Sequence, residues 1–349
     1  TRIGRDNHGS WRSKRETDDI TDPEIVGYFS LDGNRTYLPD SSNLSYYVPP
    51  ETTKVNFNLD QGIESVRRKL PSADDERIDN LLKWIKLNHA TIQAPVDTKK
   101  WIQPDFVCFR GLLTVLLCTP YSPRDAWIIC AAKWKGTIYL CAFKTPEEKR
   151  RIANMPKDML KFMSWGFKFE KYVLSGITTF LPVNEAEEFC CMFRRRFGDH
   201  TVLYGAEMDG VISETKLADP LPVKDLKFVE VKTSKAIEHA GQDRNFRKFK
   251  LLKWWSQSFL VGIESVLCGF RDDEGIVRDL KNYSLPEIVD MSKVITYLHS
   301  SIELLRCKRA EHIFFKYNIL IVLSDPLESD YFYKLLSGFL EPRIEDRCS

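Results

Sequence analysis

The sequence predicts a mixed α/β fold, with a central mixed β-sheet flanked by helices. Strand-like apolar runs alternate along the chain with segments of helical periodicity. No stretch of Gly, Ser or Pro is long enough for an interdomain linker, and no internal repeat is visible. We therefore expect one domain over residues 23–349, preceded by a disordered, polar tail over residues 1–22.

The amino-acid composition argues against several classes of protein. The net charge of +2 excludes a polycation, so any nucleic-acid site must be a local basic patch. No run approaches the roughly 18 apolar residues of a membrane span, and the polar N-terminus does not resemble a secretory signal. The nine cysteines lack C-x-x-C spacing and the six histidines form no H-x-x-x-H cluster. We therefore expect reduced thiols, an intracellular protein and no zinc site.

The first half of the chain shows one helix and three strand-like runs. Residues 49–74 are rich in loop formers, and apolar residues from Ile78 to Ile85 follow a helical spacing. Pro-rich and Lys-Gly turns then separate the apolar runs. The predicted strands are centred on residues 106–118, 126–134 and 137–143.

The second half alternates in the same way. We predict a helix over 146–174 with a break near Pro156, a helix over 185–197, strands over 201–212 and 226–233, and a basic, aromatic helix over 244–261. Strand and helix patterns continue to a buried strand over 312–323, and a terminal helix begins near Asp330.

Two short strings carry the chemistry. In Gly-Ala-Glu-Met-Asp a strand places Glu207 and Asp209 on one face, with Met208 on the other. In Phe-Val-Glu-Val-Lys the same period places Glu230 beside Lys232. The 21 positions from Asp209 to Glu230 allow a turn and a return strand. Three carboxylates and one ammonium are then expected to converge.

An acidic residue followed at a distance by E-x-K is the pattern of restriction-type nucleases. Carboxylates hold one or two hard cations such as Mg²⁺ or Mn²⁺, which activate water, while the lysine stabilises developing negative charge. The competing interpretation is structural, because alternating charges also occur on solvated strand faces.

Three further residues are candidates with structural alternatives. Arg110 lies in an apolar strand, where its guanidinium either binds phosphate or forms a salt bridge. Glu170 follows Gly166 by four positions on a predicted helix, and the glycine indicates close backbone packing. Gln257 shares a helical face with Lys250 and Trp254. This mixture of basic and aromatic residues indicates either a groove that binds a phosphate backbone, or a helix whose aromatic residues are buried and whose cations extend into solvent.

Taken in order, these strings resemble the DXO family of RNA decapping and 5′-end quality-control nucleases. The similarity extends from about Gly27 through the C-terminal third. The matching strings are Phe-Arg-Gly at 109–111, Gly-Phe-Lys-Phe-Glu at 166–170, Glu-Met-Asp at 207–209, Glu-Val-Lys-Thr-Ser-Lys at 230–235 and Leu-Leu-Lys-Trp-Trp-Ser-Gln-Ser-Phe-Leu at 251–260, with weaker matches at 30–37 and 46–50.

The resemblance assigns roles by position. It implies a metal site with carboxylate ligands and one main-chain carbonyl, and a catalytic lysine and glutamine beside the scissile phosphate. The implied metal ligands are Glu170, Glu207, Asp209, Glu230 and the carbonyl of Val231, and Lys232, Gln257 and Glu207 are the implied catalytic residues. The implied substrate-binding residues are Arg35, Phe109, Arg110, Gly111, Cys190, Glu207, Lys232 and Gln257. Phe109 stands where a tryptophan is usual.

The resemblance also implies activity and setting. Expected substrates are RNA 5′ ends, from which the enzyme removes incomplete or non-canonical caps, including NAD caps; it also processes 5′-triphosphates and degrades RNA 5′ to 3′. We expect a monomer in the nucleus, with the cytoplasm as a second location, and no membrane association. The sequence leaves open whether an exoribonuclease partner binds, as in fungal relatives. The alternatives are a catalytically weak relative that binds RNA ends and a DNA nuclease.

Overall fold

The computed structural model describes residues 20–69, 76–122, 126–174, 182–292 and 320–322. The mixed α/β class is confirmed, and the strands are divided between two mixed sheets, where we expected one central sheet. No helix in these ranges has the length and apolar character of a membrane span. The strands are β1 (Glu24–Leu31), β2 (Tyr37–Leu38), β3 (Lys54–Asn58), β4 (Phe106–Phe109), β5 (Ile128–Trp134), β6 (Thr137–Phe143), β7 (Glu188–Phe197), β8 (His200–Glu207), β9 (Gly210–Val211), β10 (Phe228–Lys235), β11 (Ser265–Arg271), β12 (Ile276–Ser284) and β13 (Leu320–Val322).

The larger sheet has eight strands in the order β13-β5-β6-β4-β8-β7-β1-β2. β4 is parallel to both neighbours, whereas β7 and β8 form an antiparallel pair. Buried residues cover both faces of its central strands, which is why β7 and β8 contain near-continuous apolar runs.

The smaller sheet has five strands in the order β3-β12-β11-β10-β9. β10 is parallel to β11 from Glu230 to Lys235 and pairs with β9 at Phe228 and Val229. The remainder of β10 is therefore an edge in the described chain. This edge strand carries the predicted E-x-K string.

Helices cover both sheets. Trp165 and Phe169 of α5 are fully buried against the smaller sheet, and Trp254 of α7 packs in a separate cluster on its other side. The helices are α1 (Asp79–Leu87), α2 (His89–Ile92), α3 (Arg110–Cys118), α4 (Pro146–Ala153), α5 (Lys157–Val173), α6 (Ala240–Asn245), α7 (Leu252–Val261) and α8 (Leu285–Ser292), with a π-helical segment over Phe246–Leu251.

Two predicted elements are wrong. The strand predicted over 106–118 ends at Phe109, and the rest of the run forms α3, because a short apolar run does not distinguish a buried helix from a strand. The helix predicted over 185–197 is strand β7, which lies between β1 and β8 and is buried on both faces, so it lacks the alternation that identifies a strand.

Other boundaries also shifted. The predicted tail is too long, because Ile20 bridges Phe197 and Thr21 donates its N–H to the Arg196 carbonyl. The loop-rich segment 49–74 contains β3, and the helix predicted over 244–261 includes the π-helical segment. The break near Pro156 is confirmed between α4 and α5. Residues 1–19, most of 312–323 and the predicted terminal helix lie outside the described residues.

Candidate active site

Strand ends from both sheets meet at one place. β4 and β8 are parallel neighbours, so Arg110, the first residue of α3, lies beside the end of β8 at Glu207. The chain then passes Asp209, and β9 pairs antiparallel with β10, which brings Glu230 back towards it. The turn and return strand expected between the two acidic strings are thus present.

A main-chain hydrogen bond joins these strings. Val231 donates its N–H to Oδ2 of Asp209 at 2.7 Å. The amide of Ala236 bonds to β11, so the main-chain groups of even-numbered residues in β10 point into the sheet and those of Val231 point outwards. The Val231 carbonyl therefore lies on the Asp209 side of the strand, where the resemblance expects a ligand.

Glu230 is a fully buried carboxylate held by two cations. Lys232 Nζ lies 2.6 Å from its Oε1, and Arg110 Nη1 lies 3.4 Å from its Oε2. Burial opposes the ionisation of Glu230, but the charges of Lys232 and Arg110 outweigh it and lower its pKa. Burial likewise opposes protonation of Lys232, whereas Asp209 and Glu230 raise its pKa overall. This ion pair is charged at neutral pH.

In the other three carboxyl groups, burial and the negative charges of neighbouring carboxylates disfavour the ionised form. Burial, followed by the charges of Asp209 and Glu207, raises the pKa of Glu170 well above its ordinary value. Burial, followed by repulsion from Glu188 and Asp209, raises the pKa of Glu207 to about 8. Burial raises the pKa of Asp209 to about 6, although the positive charge of the nearby Lys232 acts to lower it. A cation among these groups would relieve their repulsion.

The donor set fits a hard divalent cation, although the side chains do not form a finished cage. In the described ranges no three His, Cys, Asp or Glu side chains stand close enough together to hold a metal ion. All the candidate ligands are nevertheless oxygens, as Mg²⁺ and Mn²⁺ prefer. Oε1 of Glu230 is buried without a hydrogen-bond partner, since Lys232 contacts it outside hydrogen-bond geometry. Enclosing a metal ion would therefore require these side chains to rearrange.

Glu170 comes from a different element. It lies near the C-terminal end of α5, and its charge interacts with Asp209, Glu207 and Glu230. The sequence argument for close packing at Gly166 is wrong, because a Cβ there would meet no atom of the described residues within 4 Å outside its own helix backbone. The position of Glu170 follows from the packing of α5 against the smaller sheet.

Phe109, Gly111 and Cys190 line the larger-sheet side of the site. Cys190 is buried and lies directly opposite Glu207 across β7 and β8. A Cβ on Gly205 would lie 3.1 Å from the Phe109 ring and 3.3 Å from the Cys190 sulfur, which explains the glycine in the first acidic string. Within the described ranges, a Cβ on Gly111 would meet no atom within 4 Å.

Arg35 is held by carboxylates. Its guanidinium forms a bidentate pair with Glu76, contacts Glu188 at 2.7 Å and donates to the Ala186 carbonyl. To bind Arg35, a phosphate would have to compete with these partners. The phosphate-binding role of Arg35 therefore stays a prediction. Glu188 is a site residue that the sequence analysis missed. It shares a face of β7 with Cys190, a relation that the wrong helix assignment concealed.

Gln257 lies on α7, which packs beside α3. The helix runs antiparallel to β11, because Phe246 contacts Phe270 near the strand end and Lys250 Nζ lies 3.0 Å from Ser234 Oγ. Gln257 is seven residues, or about 10 Å, further along the helix, and three strand residues cover the same length. By this register Gln257 lies at the level of Glu230 and Lys232.

The fold and site together define a nuclease with an acidic residue and an E-x-K motif. A family model described as RAI1-like PD-(D/E)XK nuclease matches residues 21–312. The chain belongs to this nuclease family.

Curated relatives agree with this assignment. A Bos taurus protein named decapping and exoribonuclease protein is 34% identical over 275 residues, which cover 77% of this chain and 68% of the relative. A Drosophila melanogaster protein named decapping and exoribonuclease protein Rai1 is 36% identical over 273 residues, which cover 74% and 72%. Among solved structures, Scheffersomyces stipitis Rai1 in complex with (3′-NADP)⁺ and calcium ion has a TM-score of 0.70 at 23% identity, with 82% of each chain covered.

Proposed function

We propose that this chain is a divalent-metal-dependent hydrolase of RNA 5′ ends. It removes incomplete or non-canonical caps, including NAD caps, processes 5′-triphosphate ends and degrades RNA from 5′ to 3′. The observation that carries the proposal is the convergence of four carboxylates with Lys232 at the meeting point of two sheets. A relative that only binds RNA ends would not need this complete set.

Each residue of the candidate active site has a separate proposed role. Glu170, Glu207, Asp209 and Glu230, with the Val231 carbonyl, would hold Mg²⁺ or Mn²⁺, as one or two ions. When bound, such an ion polarises a phosphate and lowers the pKa of a water ligand. The ammonium of Lys232 stabilises negative charge that develops on the cleaved phosphate, and the Gln257 amide orients the phosphate and the attacking water. The ion pair between Arg110 and Glu230 holds that carboxylate in place.

The relatives support the substrate class. The bovine and Drosophila proteins carry decapping and exoribonuclease in their names, and the Scheffersomyces stipitis Rai1 structure is a complex with (3′-NADP)⁺ and calcium ion. We therefore take capped, NAD-capped and 5′-triphosphate RNA as test substrates, and we include 5′-monophosphate RNA and single-stranded DNA to distinguish an exoribonuclease from a DNA nuclease.

The test is a product analysis with defined 5′ ends and added Mn²⁺, Mg²⁺ or chelator. We expect metal-dependent release of the cap or of 5′ nucleotides, and a loss of about 10²-fold or more in Glu207→Gln and Asp209→Asn, because each removes a candidate ligand. The matched control is Glu24→Gln, the same chemical change on an exposed residue paired with Arg194. Unchanged turnover in both site variants, with native thermal unfolding, would refute the proposal.

We also propose nuclear residence, with the cytoplasm as a second location, and a monomeric state. Imaging of a tagged full chain tests the first, and size-exclusion chromatography with light scattering tests the second. Exclusion from the nucleus or a stable dimer would contradict these proposals. Whether an exoribonuclease partner binds is tested by co-purification.

A further inference from the structure

One cation near the site is not used by the proposed mechanism. Lys250 belongs to the π-helical segment before α7, and its Nζ donates to Ser234 Oγ at 3.0 Å. A π-helical turn inserts one extra residue and redirects the side chains around it, and such turns occur frequently at functional sites. The segment here directs the ammonium of Lys250 towards β10.

The ammonium lies one strand step from Lys232. Ser234 and Lys232 share a face of β10, about 7 Å apart along the strand. The charge of Lys250 also interacts with Cys268, and Cys268 is the direct neighbour of Lys232 on β11. The hydrogen bond to Ser234, whose side chain shares a face of β10 with that of Lys232, thus places Lys250 on the same side of the sheet as the proposed catalytic lysine.

Lys250 differs from the other site cations in its partners. In the part of the chain that the structure describes, it forms no ion pair with a carboxylate. Partial burial lowers its pKa, and the like charge of Arg271 acts in the same direction. An anion at this position would therefore be stabilised. The other site cations already contact carboxylates: Arg35, Lys69, Arg110 and Lys232.

We propose that Lys250 binds the RNA phosphate adjacent to the one that is cleaved, and that Ser234 positions its ammonium. The proposal rests on the RNA-cleaving function proposed above. A lysine that contacts a phosphate adds affinity without base preference, so the contact sets the register of the strand on the metal site. Ser234 is 4% exposed, and its hydroxyl oxygen accepts a hydrogen bond from the Lys250 ammonium, so it is a positioning residue.

The experiment is a binding cycle between protein and RNA. Short 5′-monophosphate RNAs carry one neutral methylphosphonate at each internal linkage in turn, and binding is measured in the Asp209→Asn background, where cleavage is blocked. We expect Lys250→Gln to weaken binding of unmodified RNA about five- to tenfold and to reduce the slope of log K against log salt by about 0.7. Neutralising the linkage next to the cleaved one should weaken binding to the Lys250 protein but cause no further loss in Lys250→Gln.

Three further variants keep the result interpretable. Lys248→Gln removes the same charge two residues away, where the lysine lies over the Phe249 ring, and should change affinity less than twofold. Lys250→Arg should retain most binding, and Ser234→Ala should weaken it less than Lys250→Gln does. Thermal unfolding checks that each variant is folded.

The outcomes separate this inference from the proposed function. The wild-type protein identifies the cleaved linkage by its products, and absence of any RNA product would contradict the proposed function. Turnover by the wild type, with no coupling between Lys250 and a linkage flanking the cleaved one, would overturn only the phosphate contact. Equal losses in Lys250→Gln and Lys248→Gln would overturn it as well.

Discussion

The ion pair of Glu230 with Lys232 gives a sharp stability prediction. Glu230 is 0% exposed and Lys232 is 25% exposed, with 2.6 Å between the charged atoms. Removing one partner of a buried pair costs about 3–5 kcal/mol, because the other charge is left uncompensated. Arg110 still contacts Glu230 and Lys232 is partly exposed, so we expect about 2–3 kcal/mol for Lys232→Met. This corresponds to a fall in Tm of about 3–4 °C for a chain of 349 residues, at roughly 2.1 cal/mol/K of unfolding entropy per residue.

The measurement is thermal unfolding in chelator at pH 7.5, where Glu230 is ionised because its pKa is lowered. The double variant Glu230→Gln/Lys232→Met should lose clearly less stability than the sum of the two single variants, and the part that is not recovered reflects Arg110, which then lacks its carboxylate partner. The reasoning is refuted if the double variant loses as much stability as the sum of the two single variants, since the residues would then not act as a pair.

Three further predictions concern the same region. The carboxyls of Glu207 and Asp209, with pKa values raised to about 8 and 6, keep protons in the folded protein that the unfolded chain has lost, so stability in chelator should fall as pH rises from about 5 to 8. Glu207→Gln should flatten this dependence in differential scanning calorimetry, and an equal slope in both proteins would contradict it. Mn²⁺ at 100 times its Kd should stabilise the wild type by about 2.7 kcal/mol and Asp209→Asn far less, a difference that a Tm titration measures. Gly205→Ala should lower the free energy of unfolding by about 1–3 kcal/mol in denaturant unfolding, because its Cβ would lie 2.5 Å from the Leu81 side chain. Gly166→Ala, in a helix where the described residues leave room for a Cβ, should raise it by up to about 1 kcal/mol. Equal effects of the two substitutions would contradict the packing argument.

The local strings predicted the site better than they predicted the fold around it. Glu230 lies beside Lys232 because the two-residue period of a strand is a local property. The strand predicted over 201–212 is interrupted, because β8 ends at Glu207 and β9 begins at Gly210, so buried Met208 and Asp209 lie between the two strands. The errors at Arg110 and over 185–197 have one cause. α3 is apolar even at its exposed Val115, and β7 is buried on both faces, so neither has the polar–apolar periodicity that distinguishes helix from strand.

Arg110 illustrates how this error affected function. As a residue inside a strand it left two interpretations open, phosphate binding and a salt bridge. As the first residue of α3 it reaches the buried carboxylate of Glu230, 120 positions later in the chain. No local pattern contains this contact, and the same holds for Glu188, whose charge raises the pKa of Glu207.

The sequence by itself determined the kinds of chemical groups in this protein and their spacing within each strand, since residue type and strand period are local. It was therefore sufficient for the mixed α/β class, the acidic strings and the E-x-K motif. Only the tertiary structure decided which strands are neighbours, that Arg110 and Lys232 share one carboxylate, and that Lys250 contacts Ser234 on β10. These relations depend on the packing of two sheets and a helix, and the energy of a buried charge depends on all of its neighbours at once.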